Sequence, residues 1–122
     1  MIELEEELRG FYNYFLESLQ AIADEAQQEQ SWKGGDYSTY SDFDEIYIHF
    51  IDSCENILTW NSLPSSKKSL LEMLYIMVED FNEDYNQKKM IEKDICDDPK
   101  WHKIRFLAKQ LYNDLKHVKY VS

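Results

Sequence analysis

Glu45 and His49 stand one helical turn apart in Asp44-Glu45-Ile46-Tyr47-Ile48-His49, and they are this chain's nearest approach to a metal-binding or acid–base pair. Carboxylate metal sites in helical bundles use Glu-x-x-His pairs, because residues i and i+3 point inward together, and they use the motif twice. Here the spacing is four and there is no second copy, so a metal needs Glu79, Asp80 or Glu83 as well. The simpler reading is a solvated helix pair, and no metal or other cofactor is expected. His102 and His117 fall near a basic helix surface and read as ordinary surface histidines. Nucleophilic chemistry fares no better. Cys54 lies on the apolar face of its helix, where a free cysteine behaves as a small buried hydrophobe. Cys96 sits between Asp94 and Asp97-Asp98, whose charge raises a thiol pKa and makes it a poorer nucleophile. There is no Gly-rich phosphate loop, no zinc-spaced cysteine pair and no Gly-x-Ser-x-Gly elbow. The sequence predicts a binding protein and no enzyme.

What remains is charge, and it is unevenly placed. Residues 1–60 carry fourteen acids against Arg9 and Lys33, a net of −12. Residues 61–98 net −4 (nine acids, five bases), and residues 99–122 net +5 (one acid, six bases). The total of −11 costs stability by self-repulsion, so it calls for a reason: solubility or a cationic partner. The basic stretch (Lys100, Lys103, Arg105, Lys109, Lys116, Lys119) suggests nucleic acid at first sight. A chain this acidic repels phosphate, however, and nucleic-acid binding needs a net attraction. The favoured role for those bases is internal: they lie beside acidic helices and offset their repulsion.

The elements that must position these residues are helical. With three Gly and two Pro in 122 residues, turn residues are too few for an all-β domain. Leu4, Leu8, Phe11, Phe15, Leu19, Ile22 and Ala26 form one stripe of a helix over roughly Glu3 to Glu29. Ser31–Ser41, with Gly34-Gly35, is a loop that carries Trp32, Tyr37 and Tyr40. Ser41 or Asp42 caps a second helix to about Trp60, with Phe43, Ile46, Tyr47, Phe50, Cys54, Ile57 and Leu58 on one face. A third helix runs from Ser65 or Ser66 to Tyr85; its centre, Leu70–Val78, is apolar nearly all round, which places it in the middle of a bundle. A weaker helix covers Asn86–Ile95. Asp98-Pro99 then starts a last helix to about Lys119, with Trp101, Ile104, Ala108, Leu111, Leu115 and Val118 inward. The expected fold is all-α, a compact antiparallel bundle of about five helices forming a single domain over 1–122. The acidic start of the chain lacks the basic region of a secretory signal, and the longest apolar run, Met73–Val78, is far short of a membrane span. A cytoplasmic protein with reduced thiols and no membrane contact is expected.

On a wheel of the second helix, Ile48 falls far from the inward face, among Asp44, Asp52, Glu55 and Thr59, with Glu45 at the border. An apolar anchor inside a charged rim is the pattern of a protein interface. A lone exposed hydrophobe is also commonplace, and a neighbouring helix can cover one. The preceding loop adds Asp36, Tyr37, Tyr40 and Asp42 to the candidate surface; its aromatics suit either an interface or a fold-back onto the core. The predicted partner-binding set is therefore Asp36, Tyr37, Tyr40, Asp42, Asp44, Glu45, Ile48, Asp52 and Glu55. Two features stand apart: the acids Glu79, Asp80, Glu83 and Asp84, which oppose the dipole at a helix end, and Phe106, which lies opposite the inward stripe of its helix.

With size, charge and this surface assembled, the chain resembles the bacterial immunity proteins that neutralise a nuclease toxin from the same locus. These include the helical immunity proteins of nuclease bacteriocins and those of contact-dependent growth-inhibition systems. The likeness lies in the character of the whole chain and, locally, in Asp44-Glu45-Ile46-Tyr47-Ile48 with Asp52, which is similar to the acidic, Tyr-bearing helix surface of such inhibitors. It departs from the colicin DNase type, which centres on two adjacent tyrosines; Tyr47 has no Tyr neighbour and is expected to face inward. The resemblance implies a 1:1 complex with a cognate basic toxin, formed without catalysis. It implies an acidic surface covering the toxin's cationic active-site region, with no direct contact to nucleic acid. Alternative readings are a helical adaptor or regulatory protein, including a homodimeric one, and a DNA-mimic inhibitor.

Overall fold

The computed structural model describes residues 2–34, 42–60 and 63–116, excepting the side chains of 2–8. The fold is all-α, with no strand among the described residues. Four long helices, α1 (Ile2–Ala23), α3 (Phe43–Ile57), α4 (Ser65–Gln87) and α6 (Pro99–Leu115), pack as a ring in which α1 touches α3 and α6, and α4 touches the same two. Two short helices complete it: α2 (Glu25–Gln28), which runs on as a π-turn over Glu29–Lys33, and α5 (Glu92–Ile95). None of the described helices is long and apolar enough to cross a membrane.

The first helix ends earlier than its stripe suggests. It stops at Ala23, and Asp24 starts α2 by accepting the Gln27 backbone N–H at 3.1 Å. A helix end leaves backbone carbonyls without partners. Gln28, fully buried, supplies them: its Nε2 donates to the Ala21 and Ile22 carbonyls at 2.9 and 2.8 Å. Its Oε1 accepts the Trp101 indole N–H at 2.9 Å, which ties the break to α6. The π-turn then carries Trp32 into the core beside Trp101, with ring centroids 6.5 Å apart. Trp32 is therefore a core residue and no part of a contact loop. A Cβ on Gly34, where the turn ends, would strike the Gln30 carbonyl oxygen, so the position excludes larger residues.

The core forms where the four faces meet. Phe43, Phe81 and Trp101 interlock, the latter pair 5.1 Å apart and Phe43 to Trp101 edge-on at 5.6 Å. Tyr12 donates to the Leu115 carbonyl at 2.8 Å, joining α1 to the end of α6. The start of α3 is held twice: Asp42 accepts the Glu45 N–H at 2.9 Å, and Glu92 of α5 accepts the Phe43 N–H at 3.1 Å. Asp98 caps α6 with Pro99 in its first turn, as the sequence predicts. The predicted inward faces of α3 and α6 are buried over Phe43–Ile57 and Trp101–Leu115, save the half-buried Tyr47; Val118 lies outside the described residues.

Three expectations need correction. α4 is peripheral: Leu71, Leu74, Val78 and Phe81 are buried, but Met73 and Ile76 are exposed, because neighbours cover only one side of it. The helix expected over Asn86–Ile95 shrinks to α5, because the chain turns at Lys89 (φ 52°). There the Met90 N–H reaches the Tyr85 carbonyl and the Lys89 N–H the Asn86 carbonyl, a Schellman stop. Phe11 and Ala26, placed inward by the stripe, are exposed. α1 and α3 run antiparallel (Ser18 meets Ser53, Tyr12 meets Trp60), so α3, which ends at Ile57, stops about one turn short of the level of Phe11. Ala26 lies beyond the break.

Candidate functional site

The outer ridge of α3 carries the predicted anchor. Ile48 is 56% exposed, and Asp44, Glu45, Asp52 and Glu55 around it are all exposed. None of the described helices covers Ile48. Among the described residues none of these four acids takes part in an ion pair. Glu55 accepts the Tyr75 hydroxyl at 3.2 Å, and Tyr47 at the ridge's edge donates to Glu79 at 2.6 Å. Burial, then the Glu79 hydrogen bond, pushes Tyr47 up to about 12, so it is a fixed donor at neutral pH. Tyr47 is half-buried and spent on α4, consistent with its expected inward turn. Asp42 is half-buried and spent as the cap of α3. Asp36, Tyr37 and Tyr40 lie outside the described residues.

The surface extends onto α1, which the sequence reading missed. Phe11 (47% exposed) and Tyr14 (43%) stand beside Gly10 and, with Asp52 and Asn56 of α3, line an open groove of about 510 Å³. Tyr14 packs against His49 with ring centroids 3.7 Å apart, and the His49 Nε2 lies 3.2 Å from the Tyr14 carbonyl oxygen. His49 is thereby committed to α1, and Glu79 to Tyr47. No three potential metal ligands come together among the described residues, so the Glu45–His49 pair does not grow into the site that a metal would need. Two signals pointed to α1: Tyr14 lies off the inward stripe, and Gly10 is a mid-helix glycine that costs about 1 kcal/mol against alanine without an evident local reason.

Elsewhere the charged groups serve the fold. Lys100 and Lys88 reach Asp84 at 2.9 and 4.0 Å, so the acids at the end of α4 are partly neutralised. The Lys100 hydrogen bond holds Asp84 below the ordinary carboxylate range. Lys33 does the same for Asp97 from 2.7 Å. Arg105 is buried; its Nη2 donates to the Cys96 carbonyl at 2.9 Å and its Nη1 lies 3.7 Å from Glu25. Phe106 beside it is open to solvent. Both cysteines are free and buried, and burial pushes both thiols up, which removes them further from nucleophilic chemistry.

Among the described residues no nucleophile is seen beside a base. The arrangement offers an exposed apolar and aromatic strip with unneutralised carboxylates along it. Comparison with protein-family models, with curated proteins and with solved structures finds no match to this chain.

Proposed function

We propose that this chain is an immunity-type inhibitor that binds a basic protein toxin, of the nuclease class, through the α1–α3 face. The observation that carries the reading is Ile48, exposed at the centre of four carboxylates that form no ion pair among the described residues. A nuclease active site is cationic because it must hold phosphates. Acids on this face steer the encounter and raise the on-rate above the unsteered ~10⁵–10⁶ M⁻¹s⁻¹. Ile48, Phe11 and Tyr14 then supply desolvated area, as interface anchors do. An isologous homodimer through the same face sets these acids against their own copies, so charge opposes the self-associating alternative.

The test reads the frames that flank this gene and takes a basic nuclease domain found there as the partner to be assayed. The expected result is inhibition at 1:1 and association that slows at least tenfold between low and high salt. Ile48→Asp weakens the complex at least a hundredfold with helicity unchanged. Salt-independent association, or a nuclease that cleaves undisturbed at saturating inhibitor, refutes the proposal.

A further inference from the structure

The groove between α1 and α3 has an unusually one-sided chemistry. Its polar lining at the α3 side is Asp52 and Asn56. Among the described residues the Asp52 carboxylate accepts no hydrogen bond and forms no ion pair. Asn56 donates its Nδ2 to the Asp52 backbone carbonyl at 3.3 Å, which leaves its side-chain oxygen as an unused acceptor. The α1 side presents the aromatic rings of Phe11 and Tyr14, the latter packed against His49. Gly10 also lines the groove, and an added Cβ there meets nothing within 4 Å. Arg9, the nearest cation in sequence, lies roughly 100° round the helix from Gly10 and does not line the groove.

Acceptors on one wall and aromatic rings on the other suit a cation with a flat face. A guanidinium stacks on aromatic rings and is less strongly hydrated than an ammonium, and its fork of N–H donors matches a carboxylate. We propose that the Gly10 groove is a receptor for one arginine side chain of the partner protein, seated against Phe11 and Tyr14 with its N–H groups on Asp52 and Asn56. The inference rests on the reading of the α1–α3 face as the docking surface, and it names what that face selects. Ile48 and the acid ring attract any basic surface, whereas the groove distinguishes arginine from lysine. Gly10 keeps that space open: a long side chain there occupies the volume the guanidinium needs, whereas a single Cβ meets nothing within 4 Å.

The probe is a blocked Gly-Arg-Gly peptide titrated into isotopically labelled protein, followed by backbone amide shifts. The expected result is a saturable response centred on Gly10, Tyr14, Asp52 and Asn56. Affinity should fall severalfold for the lysine peptide and at least tenfold for the citrulline peptide, which keeps the shape and loses the charge. Gly10→Leu should abolish the response while remaining folded, since its side chain enters open space; Gly10→Ala and Ile48→Asp should retain it. Equal shifts from arginine and lysine peptides spread over all acidic surfaces, or an unaltered titration in Gly10→Leu, overturn the groove. The two proposals fail separately. Peptide binding needs no toxin, so a chain that inhibits no nuclease can still show the groove. A toxin complex weakened by Ile48→Asp but untouched by Gly10→Leu removes the groove alone.

Discussion

Gln28 holds together the least expected part of this fold, and its removal should be costly. One buried side chain makes three hydrogen bonds, to the Ala21 and Ile22 carbonyls and from the Trp101 indole. Gln28→Met keeps nearly the same volume and removes all three. Gln28, Ile22 and Trp101 are fully buried, and a buried polar group deprived of its partner costs about 1–3 kcal/mol. The Trp101 N–H and the Ile22 carbonyl alone then cost about 4 kcal/mol, and the Ala21 bond adds to it. A chain of this size commonly has roughly 5–15 kcal/mol in all, so the variant should be folded but marginal. Gln28→Glu should cost at least as much, because it turns a carboxylate oxygen toward two carbonyls. Urea unfolding followed by tryptophan fluorescence and far-UV circular dichroism measures the effect. With a slope of about 2 kcal/mol per M, the midpoint falls by about 2 M at unchanged slope. A loss below about 1 kcal/mol in Gln28→Met would show that the break at Asp24 is held by something other than Gln28.

Lys89 adopts a left-handed conformation as the stop of α4, so Lys89→Gly should stabilise the chain by about 0.5–1 kcal/mol, read by thermal unfolding; a loss would place a needed side-chain contact there. Stability should rise from pH 7 to about 5 and decline below about 4. On the rising limb the net charge shrinks from −11 toward the isoelectric point near 4.6. Glu92, raised chiefly by burial, also contributes stability as it protonates. On the falling limb Asp84 and Asp97, lowered by their lysine hydrogen bonds, lose that contribution as pH drops through their folded values. Chemical denaturation at a series of pH values checks both limbs, and a monotonic profile contradicts the assignment. The triple variant Asp44→Asn, Glu45→Gln, Asp52→Asn breaks no ion pair among the described residues. It should keep or raise the thermal midpoint while flattening the salt dependence of toxin association; a lowered midpoint shows that these acids serve the fold.

Features written in a few adjacent residues were legible in the sequence. Asp98-Pro99 and Asp42 start their helices as caps, and the 3.6-residue period on α3 separates buried Phe50 and Cys54 from exposed Ile48. Features set by distant partners were not. Ile22 and Ala26 continue a helical stripe with no Gly or Pro between them, yet the helix breaks, because Gln28 finds Trp101 seventy-three residues away. Trp32 sits among loop-like residues and is pulled inward by the same tryptophan. Phe11 has the right period, but its exposure depends on where another helix ends. Phe11 joins the candidate site through that exposure, and Gly10 lines the groove beside it.

The ring topology also decides which acids are neutralised. The six bases of the last segment favour α6, and α6 packs on α1 and α4, with α3 across the bundle from it. Its cations can therefore reach Asp84 of α4 and Glu25 of α2, and they do. Among the described residues they do not pair with the α3 ridge, which follows from the helix order. Solubility alone asks for carboxylates dispersed over the surface, and dispersal would lower the self-repulsion that the fold must overcome. Here four of them surround one exposed isoleucine, on a long helix whose described residues, like those of α1, form no ion pair. The basic helix tempers charge where the fold packs it. The α3 ridge is left as a concentrated negative field with an apolar centre, which is the arrangement a cationic protein surface can exploit.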